Sequence, residues 1–162
     1  MRGLGPRGAG SNPVSRTIFN ITKRSLMDPE RDRHLVKAFP ILYQGRNKRA
    51  GVEPFDMFGF ECGDGWATLL WNLSEELEWL NNTGTGEVVA VQVKEKFGGL
   101  RFYVDIVSEY VPFRDIVYDL IGVAETKSYR TCEVCGSPDA TQRSDGRIRT
   151  LCNECEENRN KA

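Results

Sequence analysis

Cys132-Glu133-Val134-Cys135 and Cys152-Asn153-Glu154-Cys155 are the stretches that decide how the C-terminal part of this chain folds. Each is a CxxC pair, and this spacing of two pairs is typical of a structural zinc site, because each tight turn can place two thiolates on one ion. Four thiolates complete a tetrahedron and leave no position for water or substrate, so the sequence predicts a structural zinc ion. Disulfides are disfavoured, since the chain has only five cysteines and no recognisable secretory signal.

The residues around the cysteines predict a small module over residues 129–162. Gly136 follows the first pair, where a turn favours a residue that tolerates positive φ. Ser144-Asp145-Gly146 is a hairpin turn signal, and the polar run 154–161 can form one or two helical turns. A knuckle, a hairpin and a helix that carries the last ligands resemble a treble clef or zinc ribbon. Such modules bind nucleic acid, bind proteins or stabilise a chain end.

Residues 27–128 are predicted to form an α+β domain in which two helices pack on a small antiparallel sheet. A leucine-rich stripe that starts at Trp66 indicates a helix over 65–80, with Asp64 as its cap. A second apolar stripe follows Pro112 and indicates a helix over 113–126. Between the helices, alternating valines over 88–95 and a matching run over 100–107 indicate a β-hairpin.

The hairpin turn is expected at Gly98-Gly99, a favoured type I′ pair. That register pairs Phe97 with Leu100 and Val93 with Val104, and it leaves Glu95 on the apolar face, opposite a base such as Lys37 or at the open end. The other face carries a strip formed by Lys94, Lys96, Arg101 and Tyr103. Together with the arginines of the predicted zinc hairpin, this strip is a candidate binding surface for phosphate or an acidic partner. The alternative is an ordinary solvated face. The residues of this candidate surface are Lys94, Lys96, Arg101, Tyr103, Arg143, Arg147 and Arg149.

Cys62 is the fifth cysteine and has no paired cysteine nearby in the sequence. A reactive thiol would need a base, and the only histidine, His34, lies in a separate charged segment. We therefore expect Cys62 to be a small buried residue, and we identify no catalytic residue.

Residues 1–26 have an unusual composition, with five basic residues, no acidic ones and many glycines, prolines and serines. A transit peptide is one interpretation, although the stretch lacks a clear amphipathic face. Reverse translation offers another: residues 9–14 can be written GCG GGT TCG AAT CCC GTN, which matches the T-stem and loop of a tRNA gene, and Thr17 with Ile18 supplies the terminal A-CCA. We expect residues 1–26 to be disordered and to include translated tRNA gene, with Met27 as the functional start. Chance similarity in a basic tail is the alternative.

Charge argues against nonspecific nucleic-acid binding. The chain has 22 basic and 23 acidic residues; five of the basic ones and none of the acidic ones lie in residues 1–26, so the remainder has a net charge of −6. Binding that depends on phosphate neutralisation is not expected of such a protein. No apolar run is long enough to cross a membrane, and reduced metal-binding cysteines are typical of the cytoplasm.

Three motifs together resemble those of a group of small phage and prophage proteins that have no assigned function. They are Glu61-Cys-Gly-Asp-Gly-Trp66, Val93-Lys-Glu-Lys-Phe-Gly-Gly-Leu-Arg-Phe-Tyr103 and Thr131-Cys-Glu-Val-Cys-Gly136. The similarity covers roughly residues 39–155. It implies a mobile-element origin, in agreement with the tRNA-like codons, and it implies no activity.

Three classes of function remain open. The favoured class is a non-enzymatic zinc protein that binds another protein, for instance a host factor. The second class is a nucleic-acid binder that uses the strip and the zinc-hairpin arginines. The third is an enzyme such as a nuclease on a treble-clef scaffold, which would need a histidine base that the zinc hairpin lacks.

Overall fold

The computed structural model describes residues 27–47, 55 and 58–161. The expectations for residues 1–26 lie outside the described residues. The helices and strands are numbered in chain order. The helices are α1 (Pro29–Ala38), α2 (Ala67–Asn82), α3 (Val111–Ser128) and α4 (Asn153–Asn160); the strands are β1 (Phe60–Glu61), β2 (Glu87–Lys96), β3 (Gly99–Val107), β4 (Thr141–Ser144) and β5 (Ile148–Leu151).

The predicted α+β fold is confirmed. A three-stranded sheet in the order β1-β2-β3 packs against α2 and α3, and β4 and β5 form a separate hairpin beside the four cysteines. The sheet is mixed, because β1 runs parallel to β2 and pairs Phe60 with Val93. Two-residue β1 was too short for the sequence pattern to reveal.

The core lies between the sheet and its helices. Trp66 and Leu70 of the predicted stripe are completely buried, as is Val117 of α3. Tyr43, Phe55 and Phe60 pack ring against ring beneath the sheet, with centroids about 5 Å apart. The Tyr43 hydroxyl lies 2.5 Å from the Ser74 hydroxyl, so its buried polar end has a partner.

The predicted hairpin turn is wrong by one residue, and the predicted cross-strand partners are therefore wrong by two. Lys96 pairs with Gly99 and Glu95 with Leu100, so the two-residue turn is Phe97-Gly98, in which both residues have positive φ. Gly99 lies outside the turn, at a position that favours glycine because an added Cβ would lie 2.6 Å from the Tyr129 ring. Contact with Tyr129, the residue after α3, therefore overrides the preference for a Gly-Gly turn.

A register irregularity between Ala90 and Gln92 changes which valines face the core. Val88 and Ala90 are buried on one side of it and Val93 on the other, whereas Val89 and Val91 are half-buried. Strict alternation over 88–95 was therefore the wrong pattern, because one extra residue reverses the side-chain direction.

The expected capping role of Asp64 is also wrong. Asp64–Trp66 form a short 3₁₀ helix before α2, and α2 begins at Ala67 without a side-chain cap. The Asp64 carboxylate instead accepts a hydrogen bond from the amide of Asp28, at 2.8 Å. Asp28 in turn caps α1 by accepting from the amides of the first helical turn. Asp64 thus fixes the start of α1.

Candidate metal centre

The four predicted ligands come together in space. The Sγ atoms of the CxxC cysteines all lie within 4.8 Å of one another, and the Sγ atoms of Cys135 and Cys152 are 3.6 Å apart. A tetrahedral ion with metal–sulfur bonds of about 2.3 Å would require sulfur–sulfur distances of about 3.8 Å. The four thiols therefore fit a single metal ion, and their number fills a tetrahedral shell. The candidate ligands are Cys132, Cys135, Cys152 and Cys155.

Local structure explains how the two pairs converge. The first pair lies in a turn that closes when the Gly136 amide donates to the Cys132 carbonyl at 2.9 Å, and Gly136 has the expected positive φ of 81°. The predicted hairpin β4–β5 turns at Gly146 and returns the chain to Cys152. Cys155 lies in the first turn of α4, so a helix carries the last ligand as predicted.

The polar surroundings favour the thiolate form at Cys132. Burial works against ionisation, but hydrogen bonds from backbone amides of the two cysteine turns outweigh it and lower the pKa of the Cys132 thiol to about 7. A thiolate is the form that binds metal.

The turn that carries the first cysteine pair, residues 132–136, packs against the Glu61–Trp66 motif of the domain. The sequence did not reveal this role of the motif. The Gly65 amide donates to the Glu133 carbonyl at 2.9 Å, and the Trp66 indole donates to the Thr131 carbonyl at 2.8 Å. A Cβ on Gly65 would lie 2.1 Å from the Cys132 carbonyl oxygen, so only glycine allows this approach. The position of the motif directly before a helix gave no sign of its distant partner.

The tip of the β2–β3 hairpin makes a second contact with the module. Gln142 donates to the Phe97 carbonyl at 3.0 Å, and the Thr150 hydroxyl donates to the Gly98 carbonyl. Thr150 is completely buried by this contact. The module expected at 129–162 is thus packed on the domain at two places.

Glu95 lies at this junction, where it pairs with Arg147 of the β4–β5 hairpin and not with Lys37. Its carboxylate also accepts from the Gly98 amide at 2.8 Å, and its side chain is only 6% exposed. Glu133 is buried nearby, and burial together with the charge of Glu95 raises the pKa of Glu133 to about 6. Arg147 therefore balances the negative charge of Glu95 and Glu133 at the interface between the module and the domain.

The candidate basic surface is partly neutralised within the molecule. Lys94, Lys96 and Tyr103 share the predicted sheet face, with both ammonium groups lying over aromatic rings. Arg101 donates to the Tyr129 hydroxyl and lies 3.7 Å from the Glu125 carboxylate. Two arginines of the β4–β5 hairpin also have partners, because Arg143 donates to Asn153 and Arg147 pairs with Glu95. Arg149 is half-buried.

Cys62 and His34 have separate surroundings. Cys62 is completely buried, and burial raises the pKa of its thiol well above the usual range. His34 packs against Trp71, with ring centroids 5.2 Å apart. Cys62 thus behaves as the small core residue that the sequence predicted.

No protein-family model matches this chain, and neither a curated protein nor a solved structure matches it significantly. In the described part of the chain, no helix has the length and apolar character needed to cross a bilayer.

Proposed function

We propose that this protein is a non-enzymatic zinc protein that acts by binding another protein. The observation that carries the proposal is the convergence of four thiols within 4.8 Å. Zinc is the metal favoured by four thiolates in a tetrahedral arrangement, and such a closed shell stabilises a fold without offering a site for substrate. The ion would join the knuckle to the hairpin and keep both against the domain.

The surface chemistry supports protein binding over the alternative of nucleic-acid binding. Arg101 and Arg147 are engaged with carboxylates of the same chain, which reduces the positive charge available to phosphates. Exposed apolar side chains occur on both main helices, including Trp79 of α2 and Val123 of α3. Apolar side chains of this size are typical of the buried centre of protein interfaces.

We place the protein in the cytoplasm of a bacterial host and assign its gene to a phage or integrated mobile element. The motif resemblance and the tRNA-like codons support this origin, and metal-bound thiolates suit a reducing compartment.

Affinity purification of the full chain from cells that carry its gene tests the proposed function. Parallel samples are treated with nuclease before capture. We expect a defined protein partner that is retained after digestion. Retention of nucleic acid, with loss of every associated protein on digestion, would favour the alternative function.

A further inference from the structure

An apolar groove runs between α2 and α3 on the outer side of the domain. Its volume is about 210 Å³, and its floor and walls are formed mainly by leucines, valine and alanine. The lining residues used here are Leu69, Leu73, Glu76, Leu120, Val123 and Lys127.

The two helices are antiparallel, so the end of α2 lies beside the start of α3. The Ser108 hydroxyl, just before α3, donates to the carbonyl of Thr85, just after α2. Trp79 follows Glu76 by three residues and Ile116 precedes Leu120 by four, so both continue the rows that line the groove. Trp79 is 64% exposed, Ile116 43% and Val123 54%. Large apolar side chains are thus exposed in the groove, at Val123, and beyond it at the end of α2 and the start of α3.

Carboxylates border this groove on both helices. Glu75 precedes Trp79 by four residues, and Asp119 precedes Val123 by four, so each lies beside an exposed apolar side chain. Glu75, Glu76, Asp115 and Asp119 are all exposed, and among the described residues their carboxylates make no hydrogen bond or ion pair. Lys127 lies near the C-terminal end of α3, at the end of the groove nearer the cysteine module. It is the basic residue among those that line the groove.

We propose that the α2–α3 groove, meaning the lining residues with Trp79, Ile116 and the four carboxylates, binds a basic amphipathic helix of a partner protein. This inference rests on the proposed function and names the chemistry of the partner. A helix laid between two helices buries a stripe at i, i+3, i+4 and i+7, and here lysines or arginines beside that stripe would meet unpaired carboxylates. A second copy of this chain is disfavoured, because it would place the same acidic border against itself.

Binding of a designed peptide to the full chain tests the proposal. The probe has about 18 residues, with leucines in an i, i+3, i+4, i+7 stripe and lysines beside it. Its two controls are a scrambled peptide of the same composition and a peptide with glutamates in place of the lysines. We expect the lysine peptide to bind at least about tenfold more tightly than either control at about 0.15 M salt. Equal binding of the three peptides, or no binding, would overturn the proposal.

Two sets of variants locate the binding site. Glu76→Lys with Asp119→Lys should weaken the lysine peptide by at least about tenfold and improve binding of the glutamate peptide. Asp105→Lys with Asp139→Lys makes the same change in net charge away from the groove and should have little effect. Ile116→Ser with Val123→Ser should also weaken binding, whereas Val107→Ser, which alters a side chain 73% exposed on β3, should not. Equal effects of groove and control variants would contradict the assignment.

Other occupants give distinct outcomes. A dimer of the full chain that dissociates on Ile116→Ser would show that a second copy fills the groove, and peptide binding that appears only after removal of residues 1–26 would show that the chain's own N-terminus does; either result overturns the proposal. The affinity purification separates this inference from the proposed function. If a partner is captured and also binds the Glu76→Lys, Asp119→Lys variant, the groove is not its binding site, and only this inference is refuted. If no protein partner is captured at all, the proposed function is refuted.

Discussion

Among the described glycines, Gly65 is the one at which an added Cβ would come closest to another atom. Its amide bonds to the Glu133 carbonyl, and its α-carbon faces the backbone of the first cysteine pair. A sequence pattern can suggest that a glycine before a helix belongs to a turn. It cannot show that a chain segment almost 70 residues away will pack against that glycine.

Gly65→Ala should destabilise the protein by roughly 1–3 kcal/mol, because the added methyl group would overlap the Cys132 carbonyl. The matched control is Gly122→Ala on α3, where nothing lies within 4 Å of the added Cβ. This control should be neutral or stabilising by up to about 1 kcal/mol, since alanine is the better helix former. Urea denaturation measures both changes, and equal effects of the two substitutions would argue against the close contact.

Phe97 has a left-handed backbone conformation, with φ of 55°, and the residue is 64% exposed. Phe97→Asn should stabilise the protein by about 1 kcal/mol, because asparagine tolerates this conformation far better. Gly99→Ala should be destabilising, because the new methyl group would meet the Tyr129 ring. Thermal denaturation of Phe97→Asn distinguishes the observed turn from one at Gly98-Gly99, which would leave residue 97 in a strand, where asparagine is less favourable than phenylalanine. A loss of stability in Phe97→Asn would contradict the observed register, and stabilisation by Gly99→Ala would contradict the contact with Tyr129.

At the scale of elements, the sequence predicted those whose patterns are long and local. The stripe that begins at Trp66 and the apolar run after Pro112 gave both main helices within a few residues. The hairpin β2–β3 was predicted as an element, yet its register was wrong, because the irregularity near Val91 and the contact of Gly99 with Tyr129 depend on tertiary packing.

The ion pair between Glu95 and Arg147 connects two elements that are more than 50 residues apart. Arg147→Ala should destabilise the protein by about 1–3 kcal/mol, because it leaves the buried Glu95 carboxylate without its cation and close to Glu133. The double variant Arg147→Ala, Glu95→Gln should recover part of that loss. Denaturation of the single and double variants measures the coupling, and strictly additive effects would mean that the pair contributes nothing specific.

At the scale of the whole molecule, the clustering of the four thiols could be predicted and their connection to the domain could not. Regular CxxC spacing identified the four thiols because the chemistry of the site depends on a short local motif. The packing of the module depends on Gly65, Trp66 and the tip of the β2–β3 hairpin, which lie far from the cysteines in sequence. Loss of the metal is therefore expected to destabilise the domain as well as the module.

Elemental analysis of the purified protein tests the central claim that one zinc ion joins the two CxxC pairs. We expect about one zinc per chain in the wild-type protein and in Cys62→Ser, whose thiol is buried in the core. Cys135→Ser should lose the zinc and melt at a lower temperature, because three thiolates leave the shell incomplete. Equal loss of zinc from Cys62→Ser and Cys135→Ser, or full retention by Cys135→Ser, would contradict the assignment of the site.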